Sequence, residues 1–161
     1  MINRDDKISK LSRWAETKKR IALDCLGDNR YKSLRIRKGE VLYCDLGENI
    51  GHETNKCRPV LVISSTKNNS KFPYVLVAPI SSKVHYKYRN GRCSGLKYPT
   101  EVLLNKNEYS YLSKDSVVKL SQLRTVEKKR FIGSVIGSVN EATIEFINEK
   151  IMHILDLSVD K

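Results

Sequence analysis

Lys56-Cys57-Arg58-Pro59-Val60-Leu61-Val62-Ile63-Ser64 sets a permanently charged guanidinium at the mouth of a strand that is apolar on consecutive positions. Alternation of apolar and polar residues marks a strand with one wet face, so a run without alternation predicts a strand covered on both sides. Val75-Leu76-Val77-Ala78 repeats the pattern inside a second strand, Tyr74 to Ser81. In a chain of 161 residues, enough for one domain and an appendage, two such strands point to a small closed or strongly coiled barrel. Gly39 to Leu46, Thr100 to Leu104 and Ser116 to Thr125 read as further strands, and Phe131 to Val139 as another that Gly133 and Gly137 weaken. Asn140 can cap a closing helix in which Ile144, Ile147, Ile151 and Leu155 share one stripe, with Phe146 and Ile154 beside it. The expected fold class is mainly β with helices (α+β).

Ahead of these strands, Ile8, Leu11, Ala15, Lys18, Ala22 and Cys25 recur at helical spacing, with Trp14, Ile21 and Leu26 widening the stripe. A basic amphipathic helix is expected from about Asp6 to Leu26, stopped by Gly27, with Lys18-Lys19-Arg20 turned to water. Its stripe should dock on the barrel or on a second subunit; a helix lying on nucleic acid or on a membrane surface is the alternative. Asp28-Asn29 and the Ser33 region read as linker. The chain thus divides into a basic helical extension, 1–36, and a barrel domain, 37–161.

Lys and Arg number 30 against 18 Asp and Glu, a net charge of +12. Residues 1–38 alone hold twelve basic and five acidic side chains, so the extension carries more than its share. Such an excess favours a polyanionic partner, nucleic acid or an acidic protein. Cys25, Cys44, Cys57 and Cys93 show no C-x-x-C pairing and read as reduced thiols, and His52, His85 and His153 have no metal-ligand spacing. Phosphate-binding, dinucleotide, nucleophile-elbow and H-E-x-x-H motifs are missing from the sequence. No metal and no cofactor are expected. No run reaches the roughly 20 apolar residues that cross a bilayer, and Met1 to Lys10 lacks the apolar core of a secretory signal, so no membrane association and a cytoplasmic location are expected.

Two long polar loops carry the candidate chemistry. The first, Gly47 to Cys57, supplies His52 and Glu53, and Lys56 next to Arg58. A carboxylate there can take a proton from a reacting hydroxyl, while Arg58 stabilises charge on phosphorus oxygens or protonates a leaving oxygen. A lone strand-start arginine is ordinarily a solubilising residue; what changes its meaning is the second strand, which ends in the hydroxyls of Ser81 and Ser82. Those serines suit orientation and hydrogen bonding, since a plain hydroxyl is too weak a base at neutral pH. The second loop, Ser82 to Pro99, interleaves Lys83, Lys87, Arg89, Arg92 and Lys97 with His85, Tyr86, Tyr88 and Tyr98 and has no acidic residue. Cations neutralise phosphates and aromatic faces stack on unpaired bases, the grip used on single strands; a solvated loop with incidental tyrosines is the plainer alternative.

Lys38-Gly39-Glu40-Val41, Asp45-Leu46, Gly51, Glu53 and Arg58-Pro59-Val60-Leu61-Val62-Ile63 occur in order with Val77-Ala78-Pro79-Ile80-Ser81, Lys114-Asp115-Ser116-Val117-Val118, Leu120-Ser121-Gln122-Leu123-Arg124-Thr125-Val126 and Lys128-Lys129-Arg130. The string, over about residues 37–157, closely resembles the MazF/PemK family of bacterial toxins; the preceding helix is outside the usual family pattern. The resemblance implies a small SH3-like barrel acting as a homodimer. It also implies a sequence-selective, metal-independent endoribonuclease that cuts single-stranded mRNA and is silenced by a cognate antitoxin. Carried over by position, the catalytic residues fall on Arg58, Glu53 and Ser81, the last a serine where the family has threonine. RNA contacts fall on Lys56, Ser82 and the second loop (Lys83, His85, Tyr86, Lys87, Tyr88, Arg89, Arg92), with Gln122 in support. Attack by the 2′-hydroxyl would leave a 2′,3′-cyclic phosphate and a 5′-hydroxyl. The same fold serves toxins that bind DNA gyrase without cleavage, and a nucleic-acid-binding module is the remaining alternative.

Overall fold

The structure, a computed structural model, describes residues 3–26 and 34–157. Helix α1 spans Arg4–Asp24. It starts where Asn3 caps the amide of Asp5, with Asp5 and Asp6 in the first turn complementing the helix dipole. The expected stop at Gly27 and the linker at Asp28-Asn29 and Ser33 lie outside the described residues.

The strands are β1 (Glu40–Asp45), β2 (Cys57–Val62), β3 (Tyr74–Ser81), β4 (Tyr86–Arg89), β5 (Arg92–Leu96), β6 (Glu101–Leu104), β7 (Ser116–Lys119), β8 (Arg124–Glu127) and β9 (Phe131–Ser138). Two further α-helices, α2 (Thr66–Lys71) and α3 (Glu141–Ile154), and short 3-10 turns at Leu120–Gln122 and Lys128–Arg130 complete the described elements. The main sheet runs β6-β7-β3-β2-β1-β9 with antiparallel neighbours, and its end strands β6 and β9 do not pair, so it is an open, barrel-like sheet. Strand β3 is the hub. Its first half pairs with β8, from Tyr74↔Glu127 to Val77↔Arg124, and its end pairs with β7 at Ile80↔Val118 and Ser81↔Val117. The single strand expected from Ser116 to Thr125 is therefore two, broken by a 3-10 turn at Leu120–Gln122 that lets the chain bend around β3.

The doubly covered strands are as expected. Val60 and Val62 enter one apolar cluster with Leu42, Cys44, Leu46, Val75, Val77 and Val126, while Leu61 and Ile63 enter another with Val41, Ala78, Ile80, Val118 and Ile147. Helix α3 covers the second cluster. Asn140 caps it by accepting from the Thr143 amide, Ile147 is fully buried, and Ile144, Ile151 and Ile154 pack beside it. Leu155, which periodicity puts on that stripe, lies at the helix end and is exposed. Strand β9 forms despite its glycines, and Gly137 has a reason: a Cβ there would overlap the Tyr111 ring that lies against it.

Helix α1 meets the barrel along one edge of the expected stripe, where Trp14, Ile21 and Cys25 are half-buried. No α1 residue is fully buried, and Ile8 and Leu11 from the predicted stripe stay exposed. Contacts come from Lys7 and Trp14, two turns apart, and from the Asp24 carbonyl, which accepts from Lys129 Nζ. Lys7 Nζ lies 2.6 Å from Glu48 Oε1, and the Trp14 ring lies against Gly47, under the guanidinium of Arg130 at 5.2 Å. Gly47 has φ +85 and no room for a Cβ beside that ring, so both its conformation and its missing side chain are used. Lys18, Lys19 and Arg20 face water as expected.

Candidate functional site

A cleft of about 440 Å³ opens at the start of β2. Arg58, Lys56 and Cys57 line it from β2 and the residue before, Tyr43 from β1, Ile80 and Ser82 from the end of β3, and Tyr111, Ser113 and Ser116 from the segment leading into β7. Arg58 is half-buried, and its Nε donates to the Asn55 carbonyl at 2.7 Å. The guanidinium is thus aimed by the loop that precedes it. That loop is closed at its neck by Lys56 N to Gly47 O at 2.6 Å and Leu46 N to Lys56 O at 3.0 Å, with Lys56 itself at φ +69.

The β2–β3 pairing, Val60↔Pro79 and Leu61↔Ala78, carried two residues further sets Arg58 level with Ser81. Cross-strand partners share a face, so this register turns Ser81 to the same side as Arg58, while Ser82 lies in the bend that follows β3. Ser81 is 6% exposed, and its Oγ accepts from the Lys83 amide at 3.2 Å. Ser82 is exposed and lines the cleft. Of the two hydroxyls at the end of β3, Ser82 is among the residues that line the cleft and Ser81 is not.

Glu53 lines a separate concavity with Ser121, Gln122, Leu123, Arg124 and Thr125. Gln122 brackets it: its Oε1 accepts from Thr54 N at 2.7 Å, and its Nε2 donates to the His52 carbonyl at 3.1 Å. The Gln122 amide therefore holds the loop that carries Glu53.

The second loop is not a loop. Tyr86–Arg89 and Arg92–Leu96 form a two-stranded hairpin turned by Asn90 at φ 50 and Gly91 at φ 75, the left-handed pair that tight hairpin turns require. It stands apart from the main sheet. The pairs Tyr86↔Leu96 and Tyr88↔Cys93 belong to one face, and Lys87 and Arg89↔Arg92 to the other, so aromatic and cationic groups are sorted onto opposite sides. All of Tyr86 to Arg92 is exposed. At the hairpin base the His85 ring meets Tyr98 edge-on at 5.6 Å, and Lys97 lies over the Tyr98 ring. Lys83, exposed, links this hairpin to the cleft.

Sequence reasoning passed over Tyr43, Tyr111 and Ser113. Burial holds the Tyr111 phenol up at about 12, and its buried oxygen has no hydrogen-bond partner among the described residues. Its spacing from Tyr109, buried on the core side and hydrogen-bonded to Thr143 at 2.8 Å, was the available signal. Among the described residues no group of three or more His, Cys, Asp or Glu side chains is arranged to hold a metal ion. No helix among them is long and apolar enough to cross a membrane.

An open antiparallel barrel closed by one helix, with a cleft of hydroxyl and cationic donors at its rim, defines a class that comparison identifies. Residues 37–155 match the model of the PemK-like, MazF-like toxin of type II toxin-antitoxin systems, and the chain belongs to that family. Among solved structures it is similar to the Mycobacterium tuberculosis toxin MazF-mt6, at 22% identity and TM-score 0.56 over 74% of this chain and 99% of that one. It is also similar to MazF from Deinococcus radiodurans, at 19% identity and TM-score 0.59 over 77% and 99%. A mycobacterial endoribonuclease in complex with its cognate antitoxin matches at 22% identity and TM-score 0.54, over 77% and 98%. At these identities the likeness is one of fold. The family match begins at residue 37, so α1 precedes it.

Proposed function

We propose that this toxin is a metal-independent, sequence-selective endoribonuclease acting on single-stranded mRNA. The observation that carries this is the composition of the cleft: its lining includes Arg58, Lys56, Ser82, Ser113, Ser116 and two tyrosines, and no carboxylate. Such a cleft attracts a phosphodiester and repels nothing in it. Arg58, held through Nε by the Asn55 carbonyl, keeps its terminal nitrogens for the non-bridging oxygens, where charge grows as phosphorus becomes five-coordinate. Ser82, exposed in the same cleft, is the hydroxyl we assign to donate to that group, while Tyr111, whose oxygen is buried, shapes the wall.

The reaction needs no external nucleophile. O2′ bonds to phosphorus, the P–O5′ bond breaks, and the proton lost from O2′ is balanced by the one gained at O5′, giving a 2′,3′-cyclic phosphate and a 5′-hydroxyl. Glu53, on the loop that Gln122 holds, is assigned the O2′ proton in this scheme, which requires its carboxylate to reach the nucleotide whose phosphate Arg58 holds. The projecting hairpin holds the flanking strand, stacking bases on Tyr86 and Tyr88 and meeting phosphates with Lys87, Arg89 and Arg92. A homodimer and a cognate antitoxin with an acidic segment over the groove complete the proposal, supported by family membership and by the antitoxin-bound mycobacterial relative. Incubation with a long single-stranded RNA in EDTA tests it: discrete cuts are expected. Intact RNA together with inhibited DNA supercoiling would point instead to a gyrase-binding toxin.

A further inference from the structure

Helix α1 lies outside the family match, yet it reaches the candidate catalytic arginine through an unbroken line of polar contacts. Lys7 Nζ donates to Glu48 Oε1 at 2.6 Å and to the Asn49 carbonyl at 2.9 Å. The same Glu48 Oε1 accepts from Asn55 Nδ2 at 3.4 Å, and the Asn55 carbonyl accepts from Arg58 Nε at 2.7 Å. The Glu48 side chain is only 6% exposed, against 34% for Lys7. A carboxylate so enclosed is held in place by its cation, and without it becomes an uncompensated charge that the loop must rearrange to hydrate. Asn49 ties the same loop across its width, donating from Nδ2 to the carbonyls of Leu46 and Thr54. Trp14 fixes the other end of the contact by resting on Gly47, where the loop begins, under the Arg130 guanidinium.

We infer that the amino-terminal helix is a brace for the loop between β1 and β2, and that Lys7 is a positioning residue that sets the aim of Arg58. The loop has no strand pairing of its own between Leu46 and Cys57, so its shape is fixed by contacts across the neck, by Gln122 on one side and by α1 on the other. Barrel and brace together make a complete arginine site; the barrel alone leaves Glu48 without its ion-pair partner. This inference rests on the nuclease function proposed above for its effect on turnover, while the geometric part stands by itself.

Both parts are tested in the full-length protein with Lys7→Met, Lys7→Arg and the double variant Lys7→Met with Glu48→Gln. The double variant removes the unpaired carboxylate without restoring the link, and so serves if the single variant fails to fold. Hydrogen exchange at Arg58 Nε–H, followed by NMR, reads the aim of the guanidinium without requiring turnover. Cleavage of a defined RNA reads its consequence. Lys7→Met and the double variant should speed exchange and lower kcat by about 10- to 100-fold at unchanged KM, the cost of a misplaced catalytic group, and Lys7→Arg should restore both. Exchange at the wild-type rate in both linkless variants overturns the brace, whatever happens to turnover. Faster exchange with wild-type cutting keeps the brace and instead refutes the role given to Arg58, as would full activity of Arg58→Ala in the same assay.

Discussion

The cleft and the hairpin are both cationic and are built in opposite ways. Arg58 is half-buried, bonded through Nε to one carbonyl and backed by a chain of contacts that ends on another helix. Lys87, Arg89 and Arg92 stand exposed on a two-stranded ribbon that shares no hydrogen-bonded strand with the barrel. A charge that must meet one phosphorus at one moment needs a fixed position, whereas charges that hold a strand gain from reach. The first should govern rate and the second affinity.

The largest effect is expected at the fixed end. Arg58→Ala should lower kcat by at least about 100- to 1,000-fold, as loss of a donor aimed at developing charge does elsewhere, with unchanged circular dichroism. Comparable losses in KM alone would erase the distinction between the two regions. Removing the hairpin's cationic face, with Lys87, Arg89 and Arg92 all changed to Ala, should raise KM with kcat preserved. It should also flatten the salt dependence of RNA binding by about 0.7 in slope for each phosphate that is no longer neutralised. A wild-type salt slope in that variant would show that the ribbon does not touch the backbone.

The two serines sharpen the comparison within the cleft itself. Ser82→Ala should slow cleavage by about tenfold or less, the worth of one hydrogen bond, while Ser81→Ala should cost about 1 kcal/mol of stability by stranding the Lys83 amide, measured by urea unfolding. The reverse result would return the catalytic hydroxyl to Ser81.

The smallest functional effect comes from pH. Burial raises the Cys44 thiol to about 12 from an ordinary value near 9, and the Tyr111 phenol to about 12. Both are held neutral by the fold, so the folded state binds their protons more tightly than the unfolded chain does, and stability should fall as pH rises from about 9 toward 12. Below pH 9 neither group should matter. Thermal melts across that range should show the decline, and Cys44→Ala should flatten it.

Much of this was legible in the chain. Strands β2 and β3 followed from unbroken apolar runs, and α3 from Asn140 and the isoleucines after it, because burial on both faces and helix capping leave local marks. The docking of α1 followed only in part. Trp14 and Ile21, at the edge of the expected stripe, are half-buried, while Ile8, Leu11 and Ala15 at its centre stay exposed, because the ring on Gly47 and the ion pair from Lys7 turn the helix. The hairpin was hidden by its charge, although Asn90-Gly91 is a strong turn signal. Helix α2 is short and polar and depends on the Ser65 cap and on Asn69, which is buried and hydrogen-bonded to Ser64, so no periodicity announced it. For the candidate site, the position of Arg58 at a strand mouth could be read. That Ser81 is buried while Ser82, in the bend after β3, lines the cleft could not, since it depends on how the chain leaves the sheet.

The central claim is that Arg58 and its neighbours promote attack by a ribose on its own phosphodiester, and the chemistry of the cut ends tests it most directly. Digestion of a defined single-stranded RNA in EDTA, with the fragments analysed by mass spectrometry, should yield 2′,3′-cyclic phosphate and 5′-hydroxyl termini at a short recurring sequence, and none from Arg58→Ala. Fragments with 5′-phosphates, or cutting that stops when EDTA is added, would contradict it.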